Sequence, residues 1–386
     1  MVSLAGLAAV LRHPPQLDSA FSRYGADEVI DALRHDGLAP YMAWLRPDVA
    51  ALADDRRRAA MTTAVQQAEM VRACAALVAA GVRPVLFKGG AWAYTDYPEP
   101  WCRPCLDLDV LIDVADRARA FAALAAAGYT PAGRIPGDLV NGQEVFERTG
   151  VAGTTMAIDL HWRISNRVWL SAMLPTSDVM TRSVLAPFAG PGVWRVSDDD
   201  GLLIACLHPR AHHSKDPVLK WALDVALVAR RLTSADAAAF RARVADAGVS
   251  ALIAQALTHA RACAALEAIT APILEATCIA GIAADGANDR SRRWLRPERG
   301  RLQDAVDDLR ALPGWRARVR LVREHVLPPR EFMFAQYRTR RRVLLPALYG
   351  HRLVRGGAQW LWRWWRDRRS GAVSHSAASR DVDRDG

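Results

Sequence analysis

Most of this chain is patterned for helices. In Asp27–Leu33 the apolar residues Val29, Ile30 and Leu33 recur at helical spacing, and residues 56–80 read as one long Ala-rich helix stopped by Gly81. The period then changes. Val82 to Phe87 is a short apolar run that predicts a buried strand, followed by Lys88-Gly89-Gly90 and a short helix over 91–96. Leu106 to Ile112 alternates polar and apolar residues, which predicts a second strand, and Asp113 is placed to cap a helix over 115–127 that ends at Gly128-Tyr129. Glu144 to Thr149 and Thr155 to Trp162 are two further strand candidates. From Asp198 helical spacing returns and holds to about Ala284; residues 285–300 read as a linker, and a further helical piece precedes a basic end.

This pattern predicts an α+β protein: a small mixed β-sheet core flanked by helices, a helical domain after it, and a basic helical tail. The expected divisions are an N-terminal helical region 1–80, an α/β domain 81–197, a helical domain 198–315, a basic amphipathic tail 316–369, and a small, polar, disordered end 370–386. The chain has 386 residues, 51% of them hydrophobic and 24% charged, an ordinary globular balance with enough length for roughly two domains. No apolar run is long enough to span a membrane. Six Cys for this length imply no disulfide framework. Met1 to Pro14 lacks the basic flank and cleavage site of a signal peptide, so a cytoplasmic protein is expected, with peripheral attachment to the inner membrane face as the variant the tail allows.

Charge refines this picture. The net charge is +10, which points toward nucleic acid or anionic lipid. Residues 316–369, however, hold fifteen Arg against Glu324, Glu331 and Asp367, a net of +12 that leaves −2 for everything else. The basic signal belongs to the tail, and the near-neutral body disfavours a long nucleic acid as partner. Taken as a helix, Arg352–Arg369 gathers Leu353, Val354, Trp360, Leu361, Trp364 and Trp365 within an arc of roughly 140° and sets most of its Arg opposite. Packing on the protein's own helical domain is the first reading of that face, an anionic membrane surface the second, and nucleic acid the third.

The candidate chemistry lies in the sheet. In a strand Asp107 and Asp109 point the same way while Leu108, Val110 and Ile112 point into a core. Two adjacent carboxylates repel, and a hard cation such as Mg²⁺ between them removes that repulsion and recruits substrate phosphates. In Ala157-Ile158-Asp159-Leu160-His161-Trp162, Asp159 and His161 share a face, so Asp159 can complete a metal site or take a proton from an attacking hydroxyl. Lys88-Gly89-Gly90 sits between a strand and a helix, where backbone N–H groups and an ammonium favour phosphate, and Arg103 is a further phosphate candidate. Trp101-Cys102-Arg103-Pro104-Cys105 has the W-C-x-P-C spacing of a redox motif, but a redox Cys pair follows a strand and opens a helix, and here a Pro-rich loop precedes it and a strand follows.

The order Gly-Gly, Asp-x-Asp, Asp resembles the nucleotidyltransferase superfamily of DNA polymerase β. Lys88-Gly89-Gly90-Ala91, Tyr97-Pro98, Arg103-Pro104, Asp107-Leu108-Asp109-Val110-Leu111, Gly128-Tyr129 and Ile158-Asp159-Leu160-His161-Trp162 resemble more closely a bacterial family of largely uncharacterised nucleotidyltransferases. His208 to Ala229, with Leu219-Lys220-Trp221-Ala222-Leu223-Asp224, is similar to its helical second motif, and Pro328-Pro329-Arg330-Glu331-Phe332-Met333 to its basic C-terminal region. Residues 91–106 separate the glycines from Asp107, a longer gap than is usual in the superfamily. The resemblance implies a nucleotidyltransferase core and transfer of a nucleoside monophosphate from an NTP to an acceptor hydroxyl on a small molecule, a peptide or protein, or an RNA end. It implies two Mg²⁺ ions, replaceable by Mn²⁺, on Asp107, Asp109 and Asp159. It implies nucleotide contacts from Lys88, Gly89, Gly90, Arg103, Lys220 and Asp224. The alternative is a nucleotide-binding or membrane-tethered scaffold with little turnover.

Overall fold

The computed structural model describes residues 3–105, 107–133, 137–150, 155–212, 218–263, 271–287, 289–295 and 301–355. The Trp-bearing part of the expected tail helix, the expected disordered end, and residues 213–217 of the His208–Ala229 motif lie outside the described residues. The chain forms two compact units, Met1–Ala132 with Val145–Ile164 and Leu174–Arg292, and Gly133–Glu144 with Ser165–Met173 and Arg293–Gly386.

The first unit is built around a mixed seven-stranded sheet: β1 (Val85–Leu86), β2 (Asp107–Leu111), β3 (Thr130–Pro131), β4 (Gln143–Thr149), β5 (Thr155–His161), β6 (Val184–Leu185) and β7 (Trp194–Arg195). Their order across the sheet is β3-β4-β5-β2-β1-β7-β6. β2 therefore lies at the centre, antiparallel to β1 and parallel to β5. In β5, Met156, Ile158 and Leu160 are buried at every second position, the pattern of a strand with one face on a core. The α+β expectation holds, with the sheet wider than the four strand candidates of the sequence.

The helices around the sheet begin and end for local reasons. The 27-residue helix Ala53–Ala79 buries Met70, Ala73, Cys74 and Leu77 along one stripe. It stops where Gly81 takes φ +70° and the Val82 amide reaches back to the Leu77 carbonyl at 3.0 Å, a left-handed glycine termination. Asp113 accepts a bond from the Ala115 amide at 2.8 Å and opens a 3₁₀ turn leading into the helix Arg117–Ala126, as the sequence predicts. In the helical part of this unit, Leu219–Ala229 buries almost all of its length, Asp224 included. A helix apolar all round is an interior helix, and an acid within it requires a partner.

The second unit contains the helices Val168–Met173, Arg301–Ala311, Gly314–Val326 and Arg330–Gln336. Its core is Val168, Leu312 and Leu321, flanked by Leu139 and Val140. The stretch read as a linker is structured in part, since Arg290–Leu295 forms a 3₁₀ helix.

Candidate active site

β2 and β5 run parallel in a register that sets Asp109 directly beside Asp159 and Asp107 beside Ala157. Period-two geometry puts Asp107 and Asp109 on one face, two residues apart. Asp107 stands at the exposed start of the strand, and Asp109 is only 4% exposed.

A buried carboxylate needs compensation, and Asp109 has two partners. The Lys88 ammonium lies 2.6 Å from its Oδ1, and the His161 ring reaches the same oxygen through Nε2 at 2.9 Å. The carboxylate can only accept, so His161 donates from Nε2; its Nδ1 lies 3.2 Å from the Arg163 carbonyl. Burial drives the His161 pKa down and outweighs the raising effect of Asp109. Burial alone would raise the pKa of Asp109; Lys88 and His161 together overcome it and hold the group well below the usual carboxylate range. Asp107 is displaced the other way, first by desolvation against the walls around it and then by the charge of Asp109. The two acids thus separate into one that is firmly ionised and one that accepts a proton more readily.

Lys88 reaches Asp109 from an unusual backbone. Its φ is +51° and its ψ −136°, a region that favours glycine, at the point where β1 turns into the helix Gly89–Thr95. The two glycines that follow are required by packing. A Cβ on Gly89 would collide with the Arg103 guanidinium and the Cys105 sulfur, and one on Gly90 with Leu108. The turn therefore presses onto β2 and onto the loop before it.

Arg103 does not reach the carboxylate cluster. Its Nε and Nη2 make a two-pronged pair with Asp224 at 2.7 and 2.8 Å, and the Tyr97 hydroxyl donates to the same carboxylate at 2.8 Å. All three groups are buried, and the guanidinium also lies 5.6 Å from the centre of the Trp92 ring. The pair ties the loop beneath Gly89 to the interior helix Leu219–Ala229. Lys220, one turn before Asp224, lays its stem over Gly37, and Asp36 accepts from the Leu219 amide at 3.1 Å. The structure thus brings Lys88 to Asp109, sets Asp109 beside Asp159, brings Arg103 to Asp224, and sets Lys220 at the turn after the helix Ala26–His35.

Ligand atoms from Asp109, Asp159 and His161 lie within 4.8 Å of one another, a group able to hold a metal ion. Hard carboxylate oxygens on the central strands suit a divalent cation. Asp107, two residues earlier in β2, is not one of these three; His161 takes the place expected for it. The sequence placed His161 on the face of Asp159 but gave it no role; what it lacked was the bond to Asp109, 52 residues away. Cys102 and Cys105 are free thiols, Cys105 sits against Arg103, and a strand rather than a helix follows them. Beside Asp107, a narrow cleft partly open to solvent is walled by Met70, Tyr94, Leu108 and Met156.

A family model described as an uncharacterised nucleotidyltransferase matches residues 27–265, more than half of the chain and all of the sheet. No curated protein and no solved structure matches the chain.

Proposed function

The chain belongs to this uncharacterised nucleotidyltransferase family, and from that premise we propose that it moves a nucleoside monophosphate from an NTP to an acceptor hydroxyl. The acceptor oxygen forms a bond to the α-phosphorus, the bond from that phosphorus to the bridging oxygen breaks, and pyrophosphate leaves with the electron pair. The observation that carries the reading is the pairing of Asp109 with Asp159 across parallel central strands, with Asp107 on the same face.

In this reading Asp107, Asp109 and Asp159 hold Mg²⁺, two ions in all and replaceable by Mn²⁺; bound there, the metal supplies neutralisation of the triphosphate and polarisation at phosphorus. The remaining work falls to the chain. Asp159 takes the proton of the acceptor hydroxyl. Lys88, which neutralises Asp109, lies where its ammonium can pass to phosphate when substrate enters. The amides of Gly89 and Gly90, at the start of the helix Gly89–Thr95, face the phosphates. His161 orients Asp109 through its Nε2–H. Arg103 and Asp224 act through the turn they support. Catalysis rests on positioning and fixed charge rather than on a covalent enzyme intermediate.

Calorimetric titration of each NTP in the presence of Mg²⁺ or Mn²⁺ tests the premise of binding. Metal-dependent binding of at least one NTP, weakened in Asp107→Asn and Asp109→Asn, is the expected result. No binding of any NTP with either metal would sink the reading.

A further inference from the structure

The helix Gly314–Val326 has two apolar edges. Leu321 and Ala317 pack inward with Leu312, Val168 and Leu139. On a different edge, Trp315, Val319 and Val322 follow one another at i, i+4 and i+7 and are 69%, 56% and 47% exposed. At helical spacing these three fall within about 60° of arc. Arg316, Arg320 and Arg323 border this stripe on one side and Arg318 on the other. Arg320 is drawn onto the carboxylates of Asp138 and Glu324, Arg318 reaches the Leu312 carbonyl, and Arg316 lies 5.6 Å from the centre of the Trp315 ring. The same juxtaposition recurs downstream in this unit, where Val343 and Val354 are 84% and 74% exposed beside Arg342 and Arg355. Residues 316–355 hold eleven Arg against Glu324 and Glu331.

We propose that this face, centred on Trp315, Val319 and Val322, docks the protein on an anionic lipid surface. The occupant follows from the combination of groups. Arg on both borders of the stripe requires negative charge on both sides of it. The stripe between them requires an apolar phase a few ångströms deep. A bilayer interface supplies both in one plane, with anionic headgroups for the Arg and the acyl boundary for Trp and Val. Trp is at home at that level. A single-stranded nucleic acid would satisfy the Arg, but its bases stack on aromatic rings, and none of the four exposed Val named here has one beside it in sequence. Among the described residues no helix is long and apolar enough to cross a membrane, so the attachment is peripheral. The proposal is independent of the catalytic reading and concerns where the reaction takes place.

The test is co-sedimentation of the full chain with vesicles of phosphatidylcholine alone or mixed with phosphatidylglycerol. Two triple variants accompany it, Trp315→Ser/Val319→Ser/Val322→Ser and Arg316→Gln/Arg318→Gln/Arg323→Gln. All six side chains are exposed, so both variants should fold, and thermal melts within a few degrees of the native chain verify this. Native protein should pellet with the anionic vesicles and stay in solution with neutral ones. Each triple variant should lower partitioning by roughly tenfold or more. Failure of the native chain to pellet, equal pelleting with neutral vesicles, or unchanged pelleting of the Ser variant each overturns the proposal. So does a native dimer that the Ser variant converts to a monomer, which would make the face an interface between copies. Loss of pelleting on deletion of 356–386 alone, with the Ser variant unaffected, likewise overturns it and moves the attachment to the tail.

Discussion

Replacing Asp224 by Ala isolates what the Arg103 pair does. The carboxylate is 2% exposed and accepts three bonds, two from Arg103 at 2.7 and 2.8 Å and one from Tyr97 at 2.8 Å. Its removal leaves a guanidinium buried and uncompensated and a phenol without its acceptor. Breaking one side of a buried pair of this kind costs about 3–5 kcal/mol. At roughly 2–4 °C per kcal/mol for a unit of this size, the melting temperature should fall by roughly 6–20 °C. Arg103→Met/Asp224→Ala removes the stranded charge, so the double variant should be more stable than Asp224→Ala alone, with a coupling energy of about 2 kcal/mol or more. Urea unfolding of the four proteins, followed by circular dichroism, gives the cycle. Calorimetric binding of NTP to the folded variants supplies the second readout. If Asp224→Ala unfolds within about 1 kcal/mol of the native chain yet loses NTP binding, the pair serves substrate directly and the structural account is wrong.

Three further outcomes follow from the site and its surroundings. Lys88 holds a positive φ, so Lys88→Gly should be more stable than Lys88→Ala by about 1 kcal/mol, both having lost the bond to Asp109; equal stability in urea would contradict the strain. Burial raises Asp96 from 3.8 to about 6, against the lowering effect of the Thr95 hydroxyl, and its Oδ1 has no hydrogen-bond partner. The folded state therefore binds this proton more tightly than the unfolded chain, and its contribution is present below about pH 4 and lost as pH rises through about 6. Asp96→Asn should then gain up to about 3 kcal/mol over the native chain at pH 8 and little at pH 4, and identical pH slopes in denaturant would refute the assignment. His161→Phe keeps a ring against Phe87, now 4.9 Å away, but removes the donor to Asp109, so the rate of transfer should fall by about 10- to 100-fold with the fold intact; an unchanged rate of pyrophosphate release would show that His161 only packs.

The parts legible in the sequence were those with a local period or a local cap. Asp107 and Asp109 alternate with Leu108 and Val110, and Asp159 with Ile158 and Leu160, so the strands and the face of each acid followed directly. Asp113 announced its helix in the same way. Strands of two residues, such as Val184–Leu185 and Trp194–Arg195, are too short for any period, and the placement of β7 beside β1 depends on chain crossings that leave no local mark. Arg103 was recognisable as a cation near the site, but its partner lies 121 residues away on a helix whose apolar sequence hides the need for it. Gly89 and Gly90 were noticed for phosphate; their close packing against Arg103, Cys105 and Leu108 is visible only once the loop and β2 are in place.

The central claim is that the carboxylates of β2 and β5 perform nucleotidyl transfer. Incubation of the full chain with α-labelled NTPs and a cell extract as the source of acceptors, with Mg²⁺ or Mn²⁺, tests it most directly. The account predicts label on an acceptor, with pyrophosphate released in equal amount. It predicts loss of both with a chelator and in Asp109→Asn and Asp159→Asn, each of which should remain folded. Label transfer that persists undiminished in Asp109→Asn, or release of pyrophosphate without labelled acceptor, would contradict it.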